Sequence, residues 1–159
     1  MKTSEIGKLF IKSYEKFSSK MYLDQGGRPT TAYGHLIEKD DPMKYMTRTI
    51  TQEEGDRLFD TDLYYKAEMC VNHFIRETVI QYKYDALVSL TFNIGCGNFS
   101  TSTLVKKINT SSFTDEEISD EFLKWNKVRS EHGLVVSTGL VKRRLQERRM
   151  FLGEIAILG

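Results

Sequence analysis

The stretch QYKYDALVSLTFNI, running from Gln81 to Ile94, limits the possible folds more than any other segment. At 3.6 residues per turn its apolar side chains point in every direction, so a helix here is buried on all sides. Other helices must wrap it. The later chain is equipped for that, because both prolines, Pro29 and Pro42, lie early and nothing after residue 50 interrupts a helix by that means. Gly95 and Gly97 are expected to end the central helix.

The flanking helices carry their own start signals. Thr3 or Ser4 can cap a first helix whose apolar residues Ile6, Leu9, Phe10, Tyr14 and Phe17 fall on one face. Glu15 lies about 180° from Ile6 in helical phase, so it is expected to point away from that stripe and into water or a cleft. Thr51 with Glu54, and Thr114 with Glu117, form capping boxes. The first opens a helix to about Ile75, and the second opens TDEEISDEFLKWNKV. STSTLVKKIN reads as a short helix, and TGLVKRRLQERRMFLG as the last one, stopped by Gly153.

Residues 18 to 47 read differently. Short alternating pieces, KMYLD and TTAYGHLI, are broken by QGGRP and KDDP, which predicts a small irregular β region with a hairpin turn at Gly26 and Gly27. The class is α+β, predominantly α. We expect a single domain over 1–159, with a small β lobe over about 18–50 and a helical lobe made of 1–17 and 51–159. Trp125 is expected to pack between helices.

With 159 residues, 40% of them hydrophobic, the chain can bury a real core. A net charge of +1 names no polyanionic partner, and the basic run at Arg143, Arg144, Arg148 and Arg149 is interrupted by Glu147. Nucleic acid is therefore a weak candidate. Cys70 and Cys96 are read as buried free thiols, with a single bridge between them the alternative. His35, His73 and His132 are scattered and no CxxC occurs, so no metal site is expected. The N-terminal residues hold no apolar run long enough for a signal peptide or membrane span, which predicts cytoplasmic synthesis without stable membrane insertion.

One constellation carries chemistry. Glu15 is followed by Asp24 with eight residues between, then by Thr30 with five between, then by AYGH. Cleaving a glycosidic bond takes one protonated carboxyl to donate to the leaving oxygen and one ionised carboxylate to activate water. Aromatic surroundings favour the protonated form of a carboxyl, and Glu15 follows Phe10 and Tyr14. Asp24 sits beside a glycine turn open to water, and Thr30 adds a hydroxyl. By itself the spacing favours the plainer reading, a solvated helix face and a turn aspartate.

This motif resembles that of the phage-type lysozyme family of glycoside hydrolases, in which TTAYGH stands where T-[IV]-G-[YVI]-G-H is usual. ITQEEGDRLFDTDL, YDALVSLTFNIGCGNFSTSTLVKKIN, FLKWNKV and GLVKRRLQERRMFLG are similar to later parts of the same family, in order, so the resemblance covers nearly the whole chain. It implies a lysozyme-like fold with the active-site cleft between the lobes. It implies Glu15 as general acid, with Asp24 and Thr30 positioning the attacking water. The bond cleaved would be the β-1,4 link between N-acetylmuramic acid and N-acetylglucosamine in bacterial peptidoglycan, without a cofactor.

The resemblance further implies that His35 and Asp62 form a structural pair. An arginine, Arg143 or in reserve Arg144, would pair with Glu15. Leu36, Phe92, Asn93 and Thr103 fall at or near sugar-cleft positions, although Leu36 and Phe92 suit the core equally. Ala32 departs from the family glycine. The expected protein is a monomeric phage endolysin acting on the periplasmic wall after holin-type release. A lytic transglycosylase on the same fold and a non-catalytic wall-binding module are the rivals.

Overall fold

The computed structural model describes residues 1–41 and 48–155. Helix α1 (Glu5–Tyr14) leads into a sheet of β1 (Ser18–Leu23), β2 (Pro29–Ala32) and β3 (His35–Leu36), all antiparallel. The part of the expected β region at 42–47 lies outside the described residues. Then come α2 (Gln52–Leu63), a π-helical turn (Tyr64–Glu68), α3 (Met69–Phe74), α4 (Gln81–Ile94), α5 (Cys96–Thr101), α6 (Thr103–Thr110) and α7 (Asp115–Ser119). A 3-10 turn (Asp120–Lys124), a hairpin of β4 (Lys127–Ser130) and β5 (Gly133–Val136), and α8 (Thr138–Phe151) complete the chain.

The central helix is as its pattern demands. Every residue of α4 from Tyr84 to Thr91 is buried. Helix α8 packs along it, and α1, α3, α5 and the π turn surround it. Both capping boxes form at Thr51 and Thr114. Gly95 ends α4, whereas Gly97 lies inside α5 instead of stopping a helix.

Four expectations need correction. The stripe on α1 is not the buried one: Ile6 and Leu9 are exposed, and the helix buries Gly7 and Ile11. The reason is backbone proximity. A Cβ on Gly7 would sit 2.6 Å from the Asp85 carboxyl carbon, so α1 turns its smallest residue toward α4. α1 also stops at Tyr14, and Glu15 is its C-cap in extended conformation.

Next, FLKWNKV does not continue as helix. The helical segment ends at Lys124, and Lys127 and Val128 enter the β4–β5 hairpin, in which Val128 faces Val135 and Gly133 closes the turn. Trp125 follows the 3-10 turn and packs against the helical core with part of its surface exposed, as expected. Finally, Cys70 and Cys96 are joined in a disulfide that ties α3 to α5, so the free-thiol reading is replaced by its alternative.

Candidate active site

Glu15 leaves the end of α1 and meets α8, although 128 residues separate it from its partner. Arg143 Nη1 donates to Glu15 Oε1 at 3.1 Å. The guanidinium also lies 5.0 Å from the centroid of the Tyr14 ring, and Nη2 donates to the Ser89 carbonyl of α4 at 3.3 Å. Its Nε donates to Glu147 Oε1, one turn along α8, at 3.1 Å. Arg143 is thus held from four sides, with only one edge turned to Glu15.

Glu147 anchors this arrangement. It is wholly buried, and Oε1 also accepts from Ser89 Oγ at 2.6 Å and from Arg144 Nη2 at 3.0 Å. Arg144 Nε lies 2.7 Å from Oε2, near but out of line for a hydrogen bond, so that contact is a charge pair. Among the described residues Arg144 makes no hydrogen bond or ion pair with Glu15. Burial pushes the Glu147 carboxyl up and the Arg144 guanidinium down, because desolvation penalises both charges. Sequence spacing showed an ordinary i, i+4 pair here; nothing in it signalled that the pair is buried.

Asp24 follows β1. Gly26 N and Arg28 N donate to Oδ1 at 2.8 and 2.9 Å, and Arg28 Nε donates to Oδ2 at 3.0 Å. Those donors, the Arg28 backbone N–H first, hold the carboxyl below its usual range. Gly27 in the turn has φ +74°, a conformation glycine adopts without strain. The Asp24 N–H and the Thr30 hydroxyl both donate to the Arg28 carbonyl, at 2.9 and 3.0 Å. One acceptor thereby gathers Asp24 and Thr30 at one end of the hairpin, with Thr30 itself buried there. Arg28 was absent from the sequence reading, since a turn residue four after an aspartate carries no periodic signal.

His35 lies between two carboxylates. Its Nδ1 is 3.1 Å from Asp62 on α2, and its Nε2 is 3.0 Å from Asp41. The Asp62 hydrogen bond raises the histidine pKa above its ordinary value, with Asp41 adding to it. Lys66 reaches the same Asp62 oxygen at 2.9 Å. Ala32, at the end of β2, is fully buried with φ +52°, a strained position where the family pattern has glycine.

The remaining candidates separate. Asn93 lines a cavity of about 650 Å³ with Ile94, Asn98, Trp125, Leu134 and Leu140. Leu140 lies three residues before Arg143 on α8, and neither Arg143 nor Glu15 lines this cavity. Phe92 instead packs on Phe59, with ring centroids 5.7 Å apart. Leu36 is half-buried in β3, and Thr103 is exposed in the first turn of α6. The structure does not bring these three to that cavity. No group of three or more His, Cys, Asp or Glu is arranged to hold a metal among the described residues.

Comparison with known proteins places this architecture. The family described as phage lysozyme matches residues 12–147. An endolysin from Acyrthosiphon pisum secondary endosymbiont phage 1 is 36% identical over 95% of this chain and 98% of its own. Among solved structures, an endolysin from Escherichia coli O157:H7 phage FAHEc1 superposes with a TM-score of 0.86 at 32% identity, covering 98% of this chain and 96% of its own. The muramidase domain of SpmX from Asticaccaulis excentricus gives 0.83 at 28% identity, over 95% and 97%.

The chain belongs to the phage lysozyme family. It is a peptidoglycan-hydrolysing endolysin, a glycoside hydrolase of the lysozyme class.

Proposed function

We propose that Glu15 is the general acid that protonates the glycosidic oxygen between N-acetylmuramic acid and N-acetylglucosamine. Asp24 orients and deprotonates the attacking water, and Thr30 holds that water from its other side. The observation that carries this reading is the construction around Glu15: a partly exposed carboxyl placed at a helix end and held by a buried arginine from the far end of the chain. A merely solvating glutamate needs no such support. The lowered carboxyl of Asp24 supports an ionised partner, and the shared Arg28 carbonyl sets it beside Thr30. The division of labour between two carboxylates is the one glycoside hydrolysis requires.

In this proposal residues 18–50 form a small lobe facing the helical remainder, with the glycan lying between. Asn93 contacts an N-acetyl group, and His35 with Asp62 ties the small lobe to α2. The enzyme works as a monomer and reaches the wall through a holin-type membrane lesion. Among the described residues no helix is long and apolar enough to cross a membrane. Gel filtration, and lysis assays with and without a co-expressed pore former, test these last two points.

The decisive experiment is product analysis on purified peptidoglycan. Glu15→Gln is expected to lower turnover by about 10²-fold or more, the scale of a lost general acid, while circular dichroism stays native. Asp24→Asn should also abolish most hydrolysis. Reducing-end products identify hydrolysis, and 1,6-anhydromuramic ends would instead identify the transglycosylase. Undiminished lysis by Glu15→Gln would refute the assignment.

A further inference from the structure

The structure holds a second cavity at the opposite end of α1 from Glu15. We propose that it binds the glycan strand of peptidoglycan, as a secondary site on the polymer that the active site cleaves. The inference rests on the muramidase reading above.

The cavity has a volume of about 430 Å³. It is lined by the Lys8–Asp60 pair, by the exposed Tyr64 and Tyr65, and by the buried Leu63, Thr3 and Glu68. Its backbone is unusual. Helix α2 does not continue directly into α3 but passes through the π turn at Tyr64–Glu68, a rare conformation that recurs at functional sites. The turn sends Ala67 and Glu68 inward and leaves Tyr64 and Tyr65 outside. Glu68 is then fixed by the chain start, accepting from Thr3 N at 2.7 Å and Thr3 Oγ1 at 2.6 Å.

The chemistry fits a neutral sugar polymer. The two tyrosines are 44% and 68% exposed and meet edge to face, with centroids 5.0 Å apart, so ring surface is presented to solvent inside a concavity. A pyranose has an apolar C–H face that matches such a ring, and its hydroxyl and N-acetyl groups match carboxylates and ammonium groups. Aromatic surface with a few convergent polar groups is the usual make-up of a ligand pocket.

Charge argues against an anionic ligand. The lining carries Lys2 and Lys8 against Asp60 and Glu68, and Lys8 is paired with Asp60 at 3.0 Å. An acidic stem peptide or a nucleic acid would therefore meet as much negative as positive charge. None of the lining residues belongs to the Glu15–Arg143–Glu147 chain or to the Asp24 turn. Helix α1 joins the two sites, with Lys8 in the cavity lining and Glu15 at its C-terminal cap. On an insoluble repeating substrate, a second contact raises the local concentration of substrate at the first.

The test uses Glu15→Gln protein, so that the substrate survives. Its amide NMR spectrum is titrated with soluble glycan strands stripped of stem peptides. Shifts are expected at residues 2–8 and 60–68 as well as around Asp24 and Asn93. Adding Tyr65→Ala, a change at an exposed side chain, should remove only the first set and lower retention on purified sacculi roughly three- to tenfold. Shifts confined to the active site, unchanged retention, or a response only to peptide-bearing fragments would overturn the proposal. A failed muramidase reading shows separately, as lysis that survives Glu15→Gln and no shifts near Asp24.

Discussion

Glu147 is the buried anchor of Arg143, the arginine that pairs with the proposed general acid Glu15. Two guanidiniums and a serine hydroxyl converge on its buried carboxylate. Removing one member of a buried charge cluster leaves the others desolvated and unpaired, at a cost of about 3–5 kcal/mol. Glu147→Ala should lose stability on that scale in urea unfolding, and Glu147→Gln, which keeps shape and hydrogen bonding, should lose less. Both should lower turnover, because Arg143 loses the bond that orients it toward Glu15. If Glu147→Ala unfolds like the parent protein, the cluster contributes nothing net to stability.

At the scale of elements, His35 joins the small sheet to α2. Its folded-state pKa is raised, chiefly by the Asp62 hydrogen bond. A histidine proton bound more tightly in the folded state stabilises fully below the unfolded value, about 6.5. That contribution fades as pH rises through the raised folded value. The melting temperature of the protein relative to His35→Asn should therefore differ most at mildly acidic pH and converge in the alkaline range. Asp62 has the opposite sign: its lowered carboxyl stabilises above the unfolded value and the gain is lost as pH falls into the acid range. A difference between the two proteins that is independent of pH would show that the histidine contributes by shape alone.

The Cys70–Cys96 bridge acts on the whole molecule. It closes a loop of sequence separation 26 around α4, joining α3 to α5. In the chain-entropy account such a loop is worth about 3.5 kcal/mol through restriction of the unfolded chain. Cys70→Ser, or reduction of the native protein, should lower the unfolding free energy by about 3 kcal/mol in denaturant titration. Activity under native conditions should persist, since neither cysteine contacts Glu15, Arg143, Asp24 or Thr30 among the described residues. Equal stability of the oxidised and reduced forms would place the bridge outside the balance of forces.

Much of the framework was legible in local pattern. The all-round apolar stretch at 81–94 could only be a buried central helix, and two capping boxes marked where α2 and α7 begin. The glycines at 26 and 27 placed the turn that folds β1 onto β2. These are short-range effects, in which a residue's neighbours along the chain decide its conformation. The E–D–T spacing, with the family resemblance behind it, proposed Glu15, Asp24 and Thr30 as a set, of which the structure links Asp24 and Thr30 through the Arg28 carbonyl.

The tertiary structure decided what no local pattern encodes. Periodicity on α1 favoured Ile6 and Leu9 as the buried face, but the close backbone approach at Gly7 set the helix rotation instead. Arg143 was preferred to Arg144 through resemblance; their different partners are a matter of which side of α8 faces α1. Glu147 stood in the sequence only as an acidic break in a basic run and an i, i+4 partner for Arg143, because sequence carries no measure of burial. The thiols read as free because a bridge depends on two helix ends meeting. Each of these depends on residues far apart in the chain coming within a few ångströms, which is settled only when the helices have packed around α4.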